Sequence, residues 1–290
     1  MKRSTFVVFG ALVAALAMPA RADAFCRTTT CNPKKDDCAL DDKGCSTIGT
    51  SLRWKEIPIP YRFSARGSGL LIREEARAAI REAFHRWSDT VCADGRRTSL
   101  RFSEGEDLPE DKPLAAKSRG SAPFGIYFRD LGWPYEDVDE TLAQTNTSFG
   151  SKSGLVEYAD IEVNTGARRF SLSETSTGID LQAVITHEVG HYIGLAHSME
   201  QDSIMASGYC ELDAERCDKG KVAARRLAQD DIDAVCTLFP PDGQAAPAAA
   251  EPPKSEDVQG CAIAAGTSPS AASIGAILLG ASLMLLRRRR

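Results

Sequence analysis

The sequence reads as an α+β protein, because one long helical period is followed by short alternating runs and then by two further helices rather than by regular strand–helix alternation. Ile57 to Phe63 reads as the first strand. From Leu70 to Val91, apolar residues at Leu71, Ala76, Ala79, Ile80, Ala83, Phe84 and Trp87 recur at helical spacing and predict an amphipathic helix. Thr98 to Phe102 and Phe124 to Phe128 alternate as short strands. The run from Asp160 to Asn164 also alternates. A half-exposed strand is preferred there over a calcium site, since no hard-ligand loop of known spacing surrounds it. Ile179 to Ala196 reads as a helix whose start is marked by Thr177-Gly178 and Asp180. Ala223 to Leu238 forms the last helix, and Pro240-Pro241 ends it.

The two ends carry their own signals. Lys2 and Arg3, an apolar run from Phe6 to Met18 and Ala20-Arg21-Ala22 make residues 1–22 a signal peptide. Ala22-Asp23-Ala24 is an alternative cleavage site, so the mature chain starts at Asp23 or Phe25. Phe25 is too large for the position before a lipoprotein cysteine, which removes Cys26 from that role. Eight cysteines follow: Cys26, Cys31, Cys38, Cys45, Cys92, Cys210, Cys217 and Cys236. An even number in an exported chain predicts four disulfides, and the absence of C-x-x-C pairs argues against a second metal site. Cys210 and Cys217 are near enough in sequence to close a short loop. Residues 23–50 are polar and cysteine-rich, a stapled, loop-rich cap on a domain spanning 51–240. A net charge of −5, with no basic strip interleaved with aromatics, gives no reason to expect a nucleic-acid partner.

The chemistry is concentrated in His187-Glu188-Val189-Gly190-His191-Tyr192-Ile193-Gly194-Leu195-Ala196-His197. His187 and His191 lie four residues apart, so on a helix both imidazoles project from one face toward one ion. Gly194 is free to take positive φ, which lets the helix stop and turn His197 back as a third ligand. Three protein ligands leave a fourth position for water, the arrangement of a catalytic Zn2+. Glu188 is adjacent and free of a ligand role. The chain has 4 histidines and three are in this motif; the fourth, His85, reads as a packed or surface side chain without function.

The segment matches HExxHxxGxxH, the signature of metzincin metalloproteases. Ser203-Ile204-Met205-Ala206 resembles the Met-turn of that clan, and Leu227 to Val235, with its Asp-Asp-Ile run, looks like the closing helix of the matrixin branch. The resemblance covers roughly Trp54 to Phe239, with sharp motifs in its last third. It implies a twisted mixed five-stranded sheet with a zinc-binding helix beneath it and a C-terminal helix. It also implies a zinc endopeptidase in which Glu188 is the base and then the acid, with Met205 as a hydrophobic floor. Tyr209 would then be part of a substrate-pocket wall. Substrate would bind extended along a sheet edge. The Pro-Arg-Cys-Gly run of the latency switch in animal matrixins is absent, so the first four cysteines read as structural. Calcium is not readable. Asn146-Thr147-Ser148 matches a glycosylation acceptor but is given no weight.

Residues 241–259 are an Ala/Pro-rich linker, and 260–290 a membrane or sorting tail. Cys261 precedes an apolar run from Ala262 to Leu286, and Arg287 to Arg290 would hold the end on the cytoplasmic side. This resembles bacterial C-terminal sorting tails cut by myxosortase-type membrane proteases, and that reading is preferred over a plain transmembrane helix. The expectation is a secreted, surface-anchored zinc endopeptidase acting on proteins or peptides, with the membrane and a sorting protease as further partners. It would sit at the cell surface or outer membrane, or be released. The alternative is an anchored, non-catalytic binding or adhesion module with the same shell, for which Glu188 has no use. An amidase acting on a non-peptide bond ranks third.

Overall fold

A computed structural model describes residues 25–32, 36–109, 124–135, 137–173, 178–209, 225–242 and 258–265. Residues 1–22, where a signal peptide is expected, Cys210, Cys217 and the apolar run after Ala265 lie outside the described residues.

Among the described residues, nine strands and three helices follow in the order β1 (Ile59–Phe63), α1 (Arg73–Ser88), β2 (Phe102–Glu104), β3 (Gly125–Phe128), β4 (Thr141–Phe149), β5 (Val156–Val163), β6 (Phe170–Ser171), β7 (Ile179–Asp180), α2 (Leu181–Tyr192), β8 (Gly208–Tyr209), α3 (Gln229–Leu238) and β9 (Val258–Ala265). The main sheet runs β2-β1-β3-β5-β4-β9-β8, with β6 and β7 paired separately. Its first five strands are the mixed sheet of the expected α+β fold. β1 is parallel to β2 and β3, β3 is parallel to β5, and β4 is antiparallel to β5.

α1 buries Ala76, Ala79, Ile80, Ala83, Phe84 and Trp87, the residues that carry its helical period, and it packs on α2. It spans less than Leu70–Val91: Leu70 and Ile72 are exposed before it and Val91 after it. All twelve residues of α2 are buried, because α1, the sheet and the N-terminal segment enclose it. An amphipathic pattern is therefore absent from the helix that bears the motif. Asp180 caps it by accepting from the Ala183 N–H at 3.0 Å, and Arg225 pairs with the same carboxylate at 2.8 Å. The Trp87 indole donates to the Thr186 carbonyl at 2.8 Å, locking α1 to the middle of α2.

Several sequence expectations are corrected. Asp160 to Val163 belong to an inner strand rather than a half-exposed one and Asn164 follows it directly, with Asp160, Glu162 and Asn164 all buried. Polar burial is met locally: Asp160 accepts from the Gly125 N–H at 2.8 Å, and Glu162 is held by Arg129 and the Tyr135 hydroxyl. Thr98 to Leu100 form no strand, since the Thr98 hydroxyl and the Ser99 N–H both donate to the Phe239 carbonyl. Among the described residues the last helix starts at Gln229 rather than near Ala223, where the Asp231 carboxylate accepts the Ala228 N–H at 2.7 Å. β4 was not foreseen. It includes Asn146, which is buried with its amide on the Tyr135 hydroxyl at 2.6 Å and so is not placed to accept a glycan.

Three disulfides are present among the described residues, Cys26–Cys45, Cys31–Cys38 and Cys92–Cys236, and they are consistent with export. The third ties the chain just after α1 to α3. The N-terminal segment is more than a cap: the Thr28 N–H donates to the Gly194 carbonyl, the Thr28 hydroxyl to that of Leu195, and the Ala196 N–H to that of Cys26. It thereby clamps the turn that follows α2. The expected membrane span begins differently from a helix, because Ala262 to Ala265 continue β9. Among the described residues no helix is long and apolar enough to cross a membrane.

Candidate metal centre

The site is assembled by one helix and the two turns that follow it. His187 and His191 extend from α2 with their Nε2 atoms 3.0 Å apart, and the His197 Nε2 lies 3.3 Å from that of His191. Gly194 makes the return, with φ of 105°, after which the Leu195 N–H bonds back to the Gly190 carbonyl at 2.9 Å. A side chain at Gly194 would also approach the Leu52 carbonyl oxygen at 3.2 Å.

The protonation pattern follows from the hydrogen bonds. The His187 Nδ1 donates to the Ile204 carbonyl at 2.6 Å, and the His191 Nδ1 to the Leu195 carbonyl at 2.8 Å. Both rings therefore turn a bare Nε2 lone pair inward, and two such lone pairs cannot bond each other. Burial, reinforced by the neighbouring imidazoles, holds His187 far below its ordinary pKa and brings His191 down to about 3; burial also lowers His197. Neutral, inward-facing imidazoles are the ligand form. Their candidate donor atoms lie within 4.8 Å of one another, the one such group among the described residues. Three nitrogen donors with backbone carbonyls fixing two of the rings fit a zinc ion.

Glu188 is fully buried beside the triad. The Thr145 hydroxyl of β4 lies 2.5 Å from its Oε2 and 3.0 Å from its backbone carbonyl, so β4 orients the carboxylate. Beneath the histidines, Met205 is buried with its sulfur packed against Gly190: a Cβ on Gly190 would lie 2.1 Å from Sδ and 3.0 Å from Trp87 Cζ2. Gly190 thus serves close approach within the helix, a role its place in the motif does not reveal.

The turn bearing Met205 hangs on Asp231. Its Oδ1 accepts from the Ser203 hydroxyl at 2.6 Å and its Oδ2 from the Ile204 N–H at 2.9 Å. Since the Ile204 carbonyl receives the His187 Nδ1–H, Asp231 is connected to the centre through one residue. Asp230 accepts from the Ser198 hydroxyl next to His197 at 2.7 Å. The Asp-Asp-Ile run was legible in the sequence, but these contacts were not. Thr145 had no sequence signal at all. Of the residues that the sequence motifs mark, His187, Glu188, His191, His197 and Met205 converge. Tyr209 is placed by its backbone in β8, while its side chain lies outside the description. His85 projects from α1 at the surface, 3.9 Å from Asp89.

An α+β scaffold with a three-histidine helix-and-turn site over a buried methionine turn defines the metzincin class. The Matrixin family model, Peptidase_M10, matches residues 53–240, and the chain belongs to that family. It is 29% identical over 196 residues to Matrix metalloproteinase-C of Caenorhabditis elegans, covering 67% of this chain and 30% of that protein. Identity to Stromelysin-2 of Rattus norvegicus is 28% over 206 residues, 71% of this chain and 37% of the relative. Metalloendoproteinase 2-MMP of Arabidopsis thaliana is 31% identical over 137 residues, 46% of this chain and 31% of its own length. The chain thus spans about a third of the length of these curated relatives.

Proposed function

We propose that this chain is an exported zinc endopeptidase that hydrolyses protein or peptide bonds. The observation that carries the reading is the buried Glu188 carboxylate, oriented by Thr145 beside three inward-facing imidazole nitrogens. His187, His191 and His197 would hold Zn2+. When bound, zinc polarises the scissile carbonyl and brings the pKa of its water to about 7. The chain's own residues do the rest. Glu188 takes a proton from the attacking water and delivers it to the leaving nitrogen, acting first as base and then as acid. Thr145 keeps one carboxylate oxygen in place during both transfers. Met205 and Gly190 form the packed floor that stops the histidines from shifting. The peptide lies extended against β4, along the side on which β9 pairs in this structure, where backbone groups can hydrogen-bond it irrespective of sequence, and Tyr209 contributes to the wall of the pocket beyond the cut. An adhesion module gains nothing from a carboxylate buried at this position.

Export by residues 1–22 and attachment to the cell surface through the tail that begins at Gly260 complete the reading. A sorting protease that recognises Cys261 and the membrane would be its partners there, and residues 243–257, ahead of β9, would act as the stalk.

The test is hydrolysis of a mixed peptide library by the full chain, beside Glu188→Ala and a chelator-treated, zinc-restored sample. Cleavage that requires both Glu188 and zinc is expected. Zinc bound at one equivalent with no peptide bond cut, either in the library or in the chain itself, would sink the protease reading.

A further inference from the structure

An edge strand beside a hydrolytic site is a template for an extended peptide. Here that edge is covered by the chain itself. β9 runs antiparallel to β4 in a register that sets Val258 opposite Ser148, Gln259 opposite Thr147, Gly260 opposite Asn146, Cys261 opposite Thr145 and Ala262 opposite Gln144. On its other side, Ala264 and Ala265 pair in parallel with Gly208 and Tyr209, the segment that follows the methionine turn. The strand therefore fills a slot with a backbone ladder on each side, and its contacts extend to α2. Thr145, opposite Cys261, is the residue whose hydroxyl holds the Glu188 carboxylate. Antiparallel neighbours in such a ladder lie about 5 Å apart, so the peptide bonds flanking Cys261 lie directly across the ladder from the residue that holds the proposed base. The segment Val258–Ala265 contains neither proline nor charge, so every amide N–H is available for pairing and no ion must be desolvated.

We propose that Val258–Ala265 is an intramolecular substrate, which the chain cuts at a peptide bond beside Cys261. The inference rests on the endopeptidase reading above. Water adds through its oxygen to the carbonyl carbon of that bond, and the carbon–nitrogen bond breaks. The proton accepted by Glu188 ends on the leaving nitrogen, giving a new carboxylate and a new amine. Tethering through residues 243–257 makes the step unimolecular, with an effective concentration on the order of millimolar. Until the cut, the segment excludes other peptides from the slot; afterwards, the catalytic domain is separated from everything beyond the cut. A sorting protease and the zinc centre would then compete for one stretch of chain, and that competition would set how much enzyme is retained and how much is released.

Two measurements on the full chain test this. In metal-free Glu188→Ala protein, hydrogen exchange is followed in β4 beside two doublets, Gln259→Pro/Cys261→Pro and Gly260→Pro/Ala262→Pro. Alternate amides of a strand face opposite neighbours, so one doublet should speed exchange in residues 141–149 by ~10-fold or more while α1 and α2 stay protected. Unchanged exchange in both doublets overturns the docking. Second, zinc is added to chelated wild-type chain, and intact mass is followed beside hydrolysis of the peptide library. A new terminus within residues 258–265, appearing at a rate unaffected by tenfold dilution, supports the proposal. A rate that falls on dilution, or an intact tail while added peptides are cut, overturns it and leaves the endopeptidase reading standing. An intact tail with no peptide cut overturns both.

Discussion

Replacing Asp231 with alanine should damage both stability and metal affinity, although the residue touches no metal ligand. Its carboxylate is fully buried and accepts three hydrogen bonds, from the Ser203 hydroxyl and the Ile204 and Ala228 amides. A buried donor left without an acceptor costs about 1–3 kcal/mol. The Ser203 hydroxyl can rotate, whereas the two amides cannot. Burial also raises the pKa of Asp231 to about 6, so removing it relieves some desolvation cost. The net loss should be about 2–4 kcal/mol, a large share of the 5–15 kcal/mol that typically holds a domain together. Loosening Ile204 also releases the carbonyl that anchors the His187 Nδ1, so zinc affinity should fall by roughly 10–100-fold. Asp231→Asn is the informative contrast: its amide oxygen can still accept from both backbone N–H groups, and its cost should be about 1 kcal/mol. Urea unfolding of the metal-free chain near pH 7.5 reads the first quantity, and zinc titration against a competing chelator the second. If the alanine variant unfolds within about 0.5 kcal/mol of wild type and binds zinc equally well, the support assigned to Asp231 does not exist.

Three further outcomes are expected. Burial, followed by the nearby Glu162, lifts the pKa of Asp160 to about 7 despite the bond from Gly125. The folded chain then holds a proton that the unfolded chain releases between about pH 4 and 7, so this contribution is full at low pH and is lost as pH rises through 7. Asp160→Asn, which keeps an acceptor for Gly125, should flatten that part of the stability–pH curve and stabilise the chain at pH 8 by on the order of 1–3 kcal/mol, as denaturant unfolding across pH would record. Serine at both Cys92 and Cys236 opens a link across 144 residues. Stability should drop by about 2–5 kcal/mol under non-reducing conditions, and the difference from wild type should vanish when both are reduced. Gly194→Ala places a side chain at φ of 105°, close to the Leu52 carbonyl. A cost of about 1–3 kcal/mol is expected, with zinc affinity lowered because His197 follows the same turn; calorimetric zinc titration and thermal unfolding check both.

The matched segment from His187 to His197, Met205 and the helical period of α1 were legible because each depends on local spacing: four residues make one helical turn, and one glycine permits one reversal. The cysteine count announced an oxidised chain for a similarly local reason, while the choice among pairings required the ends of α1 and α3 to meet. The alternation at Asp160–Asn164 predicted a strand but not its depth, because burial of both faces is imposed by residues such as Arg129 and Tyr135 from elsewhere in the chain. β4 has few large apolar residues and escaped notice, yet it supplies Thr145 to Glu188 and the edge on which β9 lies. Asp231 stood in a recognisable run whose purpose, to hold the methionine turn and through it His187, exists only once residues 203–205 fold back on α3. Short-range geometry encodes which atoms can bind a metal. Which groups orient those atoms, and which strand covers the site, depends on contacts between residues far apart in sequence, where spacing carries no signal and only packing can decide.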